Sequence, residues 1–285
     1  MAMGGFNGGD PILTPDSLAG RVRRGEIRFF LLPPQNTALG QGGEVMEWLK
    51  VVGEFEALCS IAGFSYEHPS DSYPEIVEGE ACFVAIDLAH PLLSETQSIR
   101  NDISLSPSCQ FYIVSGSNMS GKSTLMRSVG VNTVLGLMGA PVRAASLQLS
   151  VLHLGASIRT QDSLSDGISR FYAEIKRLSQ VIEIGKTQPL LFLIDEIMQG
   201  TNSHDRRIGA EAVARTLVGQ GSLGIMTTHD LALTKFADSP ENRSRNVHFE
   251  DTIIDGKMKF DYRMRPGVVE KSNALALLRA VGIEV

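Results

Sequence analysis

"IVSGSNMSGKSTLMRSV", residues 113–129, is the stretch on which the fold turns. The apolar, β-branched and aromatic run "QFYIVS" (110–115) predicts a strand that breaks at Gly116. A helix then starts inside the glycine loop and runs to about Met138. Residues 116–123 match G-x-x-x-x-G-K-[ST] at each defined position, which background frequencies give in about one chain per hundred of this length. Gly116 and Gly121 let the backbone turn so that successive N–H groups point at phosphate oxygens, and the helix N-terminus adds its dipole there. Gly116, Ser117, Asn118, Met119, Ser120, Gly121, Lys122, Ser123 and Thr124 are therefore the candidate nucleotide-binding residues. The Lys122 ammonium is placed to reach β- and γ-phosphates, and the Ser123 hydroxyl to ligate Mg²⁺.

Two further stretches supply the chemistry such a cradle needs. "LLFLID" (190–195) is apolar on both faces, as a central parallel strand is. It delivers Asp195 to the carboxyl edge of the sheet, where a carboxylate can hold Mg²⁺. Glu196, the next residue, is the candidate general base for an attacking water. The strand "LGIMTT" (223–228) brings His229 to the same edge, where a neutral imidazole can sense the γ-phosphate or orient the water. Lys122, Glu196 and His229 form the candidate catalytic set, with Ser123 and Asp195 as candidate metal ligands. An Asp-Glu pair favours hydrolysis over transfer to a small-molecule acceptor.

The rest of the chain alternates strands and helices. Strands are expected at 82–88, in "LQLSVLHLGASI" (147–158, as one or two), in "NVHFED" and in "MKFDYRM". Helices are expected over 171–184, 206–218 and 271–281, with a short one from Asp230. Upstream, Val45, Trp48, Leu49, Val52, Phe55, Leu58 and Ile61 recur at helical spacing, predicting a packed amphipathic helix over 44–62 that Gly63 ends. "IRFFLL" (27–32) reads equally as strand or helix. The organisation expected is a tag or tail over 1–10, an N-terminal segment over 11–75 and an α/β domain with a mainly parallel sheet over 76–285.

Composition narrows the function classes. A formal charge of −6 argues against a fold whose whole surface grips nucleic acid, since phosphate neutralisation supplies most of that affinity. Cys59, Cys82 and Cys109 have no CxxC spacing and read as buried thiols in a reducing compartment. No signal peptide or apolar run of about 20 residues is present, so a soluble cytoplasmic protein is expected.

Together, "SNMSGKST", "DEIMQGTNSHD" and "TTHDL" resemble the MutS family of mismatch-repair ATPases, of the ABC class. "AHPLL" (89–93) and "NDISL" (101–105) resemble the segments preceding that family's P-loop, and "DSLSDGISRFYAEIKRL" (162–178) its signature loop and helix. The resemblance covers roughly residues 45–285. It implies a P-loop NTPase fold with a mainly parallel central sheet and helices on both faces, the 44–62 helix being a lever remnant. It implies Mg²⁺-dependent ATP hydrolysis in a homodimer that sandwiches two ATP molecules. Ser169 would cap the partner's γ-phosphate in trans, Asn202 and Ser203 would run along the dimer seam, and His90 and Ile99 would lie near the adenine.

The chain departs from the family in three respects. Ser169-Arg170-Phe171 stands where Ser-Thr-Phe is usual, so Arg170 either acts as an arginine finger or points to solvent. Ser98 stands where an aromatic residue is usual, which weakens adenine stacking and leaves preference for ATP over GTP open. The mismatch-reading, connector and clamp regions are not in this sequence, so DNA contact is expected through other segments, and the tag-like start suggests a fragment. Three functions fit: a repair or recombination ATPase that gates mismatched-DNA binding, an ABC-type ATPase driving membrane-linked or signalling work, or a nucleotide-dependent dimerisation module.

Overall fold

The protein is described from a computed structural model covering residues 42–117, 119–158, 170–198, 200–254 and 257–269. Two compact units divide within the first helix, one ending at Cys59 and the other beginning at Ser60. The expectations for 1–10, 27–32 and 271–281 lie outside the described residues.

Helix α1 (Gly42–Glu67) is longer than the expected 44–62. Gly63 does not end it. Pro69 does, because a proline disfavours helical geometry at the residue before it, here His68. The His68 ring and backbone N–H both reach the Phe64 carbonyl, which satisfies one of the helix's last acceptors. Of the seven apolar residues of α1 expected to pack, Trp48, Phe55 and Leu58 are exposed and Val45, Leu49, Val52 and Ile61 are partly buried; Cys59 is exposed too. Cys82 and Cys109 are half-buried free thiols, each pushed above the usual thiol range by burial.

In the second unit, β4 (Phe111–Ser115), β6 (His153–Ser157), β7 (Leu190–Ile194), β8 (Leu223–Thr227), β9 (Ser244–Ile254) and β10 (Lys257–Pro266) form a six-stranded sheet in the order β10-β9-β4-β8-β7-β6. Strands β9, β4, β8, β7 and β6 pair in parallel, and β10 is antiparallel to β9. A second sheet, which the sequence reading did not contain, joins β1 (Glu75–Val77), β5 (Ser146–Ser150), β2 (Phe83–Leu88) and β3 (Asn101–Leu105), mostly antiparallel. "LQLSVLHLGASI" is therefore two strands, β5 and β6, in different sheets.

Period-2 alternation divides the large sheet's side chains between two apolar clusters. Tyr112, Val114, Leu191, Leu193 and Ile225 face α2 (Lys122–Leu137) and the smaller sheet, packing with Met126, Val129, Phe83 and Leu149. Phe111, Ile113, Phe192, Ile194 and Met226 pack on α3 (Arg170–Thr187), α4 (Ser203–Gly219) and α5 (Leu231–Thr234) through Val181, Ala214 and Leu233. The Tyr112 hydroxyl ties the two sheets by bonding Ser104 N–H and C=O, and burial holds it above the usual phenol range.

One ion cluster centred on a buried arginine shapes the segment leading to the site. Arg143 pairs with Asp71 at 2.7 Å and Glu95 at 2.9 Å, and its side chain is 5% exposed. Its backbone N–H donates to Asn132 Oδ1, and Asn132 Nδ2 donates to Ala89 O. The segment carrying His90 and Glu95 is thereby fastened to α2. The buried Arg143 and Asp71 side chains hold this geometry because each finds an opposite charge, and the exposed Glu95 adds a second partner for the guanidinium.

Candidate active site

Three strands of the large sheet, β4, β8 and β7, run parallel side by side and end on one edge. After β4 the chain turns at Gly116 (φ 142°), where a Cβ would stand 2.8 Å from the Phe249 carbonyl oxygen. Gly121 (φ 112°) precedes α2, and a Cβ there would stand 3.2 Å from the Tyr262 ring. Both positions favour glycine on conformation and on space. Between them the Ser120 hydroxyl donates to Ser117 O at 2.8 Å, closing the loop on itself. The Lys122 ammonium donates to Gly116 O at 2.9 Å and Ser117 O at 2.8 Å. The N-cap of α2 is Gly121, which brings no capping side chain, so the N–H groups and dipole of the first turn face the loop. Asn118 lies outside the described residues.

Strand β7 delivers Asp195, 7% exposed, whose N–H donates to Ser157 O at the end of β6. Its Oδ2 accepts from the Ser123 hydroxyl at 2.9 Å and its Oδ1 from the Thr227 hydroxyl at 2.7 Å. The Thr227 oxygen in turn accepts the Glu196 N–H at 3.0 Å. Glu196 is 8% exposed and left-handed (φ 53°), a conformation that costs about 1–3 kcal/mol unless its surroundings impose it. Its Oε1 meets His229 Nε2 at 2.5 Å, so the two candidate catalytic side chains are partners. Asp230, following, caps α5 through Ala232 N–H.

Thr227 went unnoticed in the sequence reading, although "TTHD" was singled out. Its signal was there: a hydroxyl at the last position of a buried strand, two residues before the histidine, must find a partner when fully buried.

A cavity of about 550 Å³ opens beside the loop, lined by His90, Ile99, Met119, Gly121, Thr124 and Tyr262 among others. His90 and Ile99, expected near a base, thus share one cavity with the glycine loop. His90 Nδ1 accepts the Leu92 N–H, and burial followed by the Arg127 charge lowers its pKa, so the ring is held neutral. Tyr262 was also missed. It stands in a bulge of β10, where residues 261–263 lie opposite Glu250 between the pairs Phe260–Asp251 and Met264–Phe249. Asn101 holds this bulge, donating to Tyr262 O at 3.0 Å and accepting from Met264 N–H at 2.7 Å. Tyr262 itself is left-handed (φ 54°), which turns its ring onto Gly121.

Ser169 is outside the described residues, and Arg170 opens α3. Asn202 caps α4: its Oδ1 accepts the Asp205 N–H at 2.9 Å, and Ser203 begins the helix, three residues earlier than expected. For Mg²⁺, Ser123 and Asp195 offer hard oxygen donors within 2.9 Å of each other, a set that fits an ion completed by phosphates and water. Among the described residues no group of three or more His, Cys, Asp or Glu forms an all-protein cage.

Residues 112–284 match the family model for MutS domain V. Over 244 residues the chain is 27% identical to the DNA mismatch repair protein MutS of Natronomonas pharaonis, covering 84% of this chain and 28% of that protein. Over 238 residues it is 29% identical to the DNA mismatch repair protein MutS 2 of Halobacterium salinarum, covering 82% of this chain and 27% of that protein. The chain thus spans little more than a quarter of the length of these relatives. Residues 1–51 match a second, YkcB-like C-terminal model, and contain none of the site residues. Among the described residues no helix is long and apolar enough to cross a membrane.

Proposed function

The chain belongs to the MutS domain V family, and from that premise we propose that it binds ATP with Mg²⁺ in this cleft and hydrolyses it. The observation that carries the proposal is the His229–Glu196 pair standing beside an Asp195 that is tied to the loop residue Ser123. The adenine enters the cavity between Ile99 and Tyr262, and the tyrosine supplies the stacking surface that Ser98 does not. The phosphates lie over the first turn of α2, where backbone N–H groups and the dipole stabilise them. Lys122 exchanges the carbonyls of Gly116 and Ser117 for phosphate oxygens of greater charge.

Ser123 and Asp195 would hold Mg²⁺, which supplies charge neutralisation at the β- and γ-phosphates. Glu196 takes a proton from the attacking water as its oxygen bonds to the γ-phosphorus and the bond to the β–γ bridging oxygen breaks, giving ADP and phosphate. His229 holds the carboxylate in line for that transfer. A second copy completes each site, with Ser169 and Arg170 acting across the interface and Asn202 and Ser203 along it. In this reading the nucleotide cycle gates binding of mismatched DNA, as the names of the mismatch-repair relatives suggest, with DNA contacted mainly through segments outside this sequence.

Steady-state phosphate release from ATP with Mg²⁺, with and without mismatched duplex, tests the proposal. Glu196→Gln is expected to keep nucleotide binding and lose turnover, and an unchanged rate refutes the assignment. A wild-type rate that depends on Glu196 but is indifferent to DNA keeps the ATPase assignment and locates DNA recognition outside this sequence.

A further inference from the structure

We propose that Glu174 is a positioning residue for the Glu196 carboxylate, acting through Met198, an inference that rests on the hydrolytic reading above. Among the described residues of the loop after β7, two that are not glycine are left-handed, Glu196 (φ 53°) and Met198 (φ 56°). Such backbone persists where neighbouring structure over-determines it. Met198 is held from three directions. Its N–H donates to Glu174 Oε1 on α3 at 2.5 Å, and its carbonyl accepts from Arg206 Nε on α4 at 3.3 Å. Its side chain lies over Gly209 of α4, where a Cβ would stand 2.2 Å from the sulfur.

Phe171, three residues before Glu174 and so on the same face of α3, packs on Gly200 of the same loop. Arg206 reaches Thr201 O as well, at 3.0 Å. Glu174 accepts the N–H that a left-handed Met198 turns towards α3. Without that acceptor, Met198 can relax towards ordinary backbone geometry. Glu196, two residues away, then loses its alignment with His229 while the glycine loop and the cavity stay as they are. Glu174 touches neither nucleotide nor water in this reading, so its loss is felt in the rate of the chemical step.

The test compares Glu174→Ala, Glu174→Gln and Glu174→Asp in the full chain, measuring kcat and KM for ATP hydrolysis and the Kd of a fluorescent ATP analogue. The alanine variant is expected to lose about tenfold or more in kcat with Kd within about twofold of wild type. Glutamine, which keeps an acceptor oxygen in place, is expected to restore most of the rate. Aspartate, one methylene shorter, gives the same split should the alanine variant fail to fold. A wild-type kcat in the alanine or aspartate variant overturns the proposal. So does a glutamine variant as slow as alanine, or a loss of affinity that matches the loss of rate. Glu196→Gln run alongside separates the two readings: if it still turns over, the hydrolytic assignment fails first. If it is silent and Glu174→Ala is not, the positioning role alone fails.

Discussion

Replacing Thr227 with valine keeps the side chain's shape and removes one oxygen. The hydroxyl so removed donates its O–H to Asp195 Oδ1 at 2.7 Å and accepts the Glu196 N–H at 3.0 Å, in a residue with 0% exposure. A hydrogen bond to a charged group is worth about 1.5–3 kcal/mol, and a buried N–H left without its acceptor costs about 1–3 kcal/mol. Because the two share one atom their costs overlap, and we expect a loss of about 2–4 kcal/mol. At about 2–4 °C per kcal/mol for a domain of this size, melting falls by about 4–16 °C. Turnover falls too, since Glu196 keeps its left-handed backbone partly through this bond, and about 1.4 kcal/mol of misalignment is worth tenfold in rate. The assays are thermal melting by circular dichroism and phosphate release at saturating ATP. Thr227→Ser, which keeps the hydroxyl, is the control and should retain most of the rate. A valine variant that melts within about 2 °C of wild type and turns over within about twofold refutes the reasoning, because the hydroxyl would then hold neither carboxylate.

Two further predictions concern the cavity. Tyr262→Ala should raise the KM for ATP about fivefold or more, since stacking of a base on an aromatic ring is worth about 1–3 kcal/mol, while Tyr262→Phe should leave KM near wild type. An unchanged KM in the alanine variant places the base elsewhere. His90 gives a pH signature. Burial and Arg127 lower its pKa below the ordinary 6.5, so the unfolded chain binds the proton more readily. Stability is therefore complete above pH 6.5 and declines as pH falls from there towards the folded-state pKa. The melting temperature of wild type should drop through this window more steeply than that of His90→Gln, and parallel curves would show that His90 does not carry the effect.

The glycine loop, the acidic pair and the histidine were legible in the sequence because each sits at a strand end. A buried apolar run announces where its strand stops, and three such runs in an α/β alternation stop on one edge. The glycines at 116 and 121 carried their own explanation, since their φ values of 142° and 112° lie where a Cβ is unwelcome. The smaller sheet was not legible. Strand β2 belongs to it because it pairs with β3 on one side and β5 on the other, and register between distant strands leaves no mark in local periodicity. Gly63 misled for a related reason: an isolated glycine weakens a helix without dictating its end, and α1 continues to the proline that does.

The contacts that make the residues into a site came from tertiary structure. Composition and spacing identified Asp195, Glu196 and His229 as reactive groups. They could not say that Thr227 would join the first two, or that Glu196 and His229 would meet. Tyr262 enters the cavity because three residues of β10 bulge opposite one of β9, pinned by Asn101 more than 160 positions earlier in the chain. Met198 takes its geometry from helices on either side, through Glu174 and Arg206. Local sequence specifies which backbone each segment prefers. The left-handed residues at 196, 198 and 262 are held against that preference by partners that only the packed chain brings within reach.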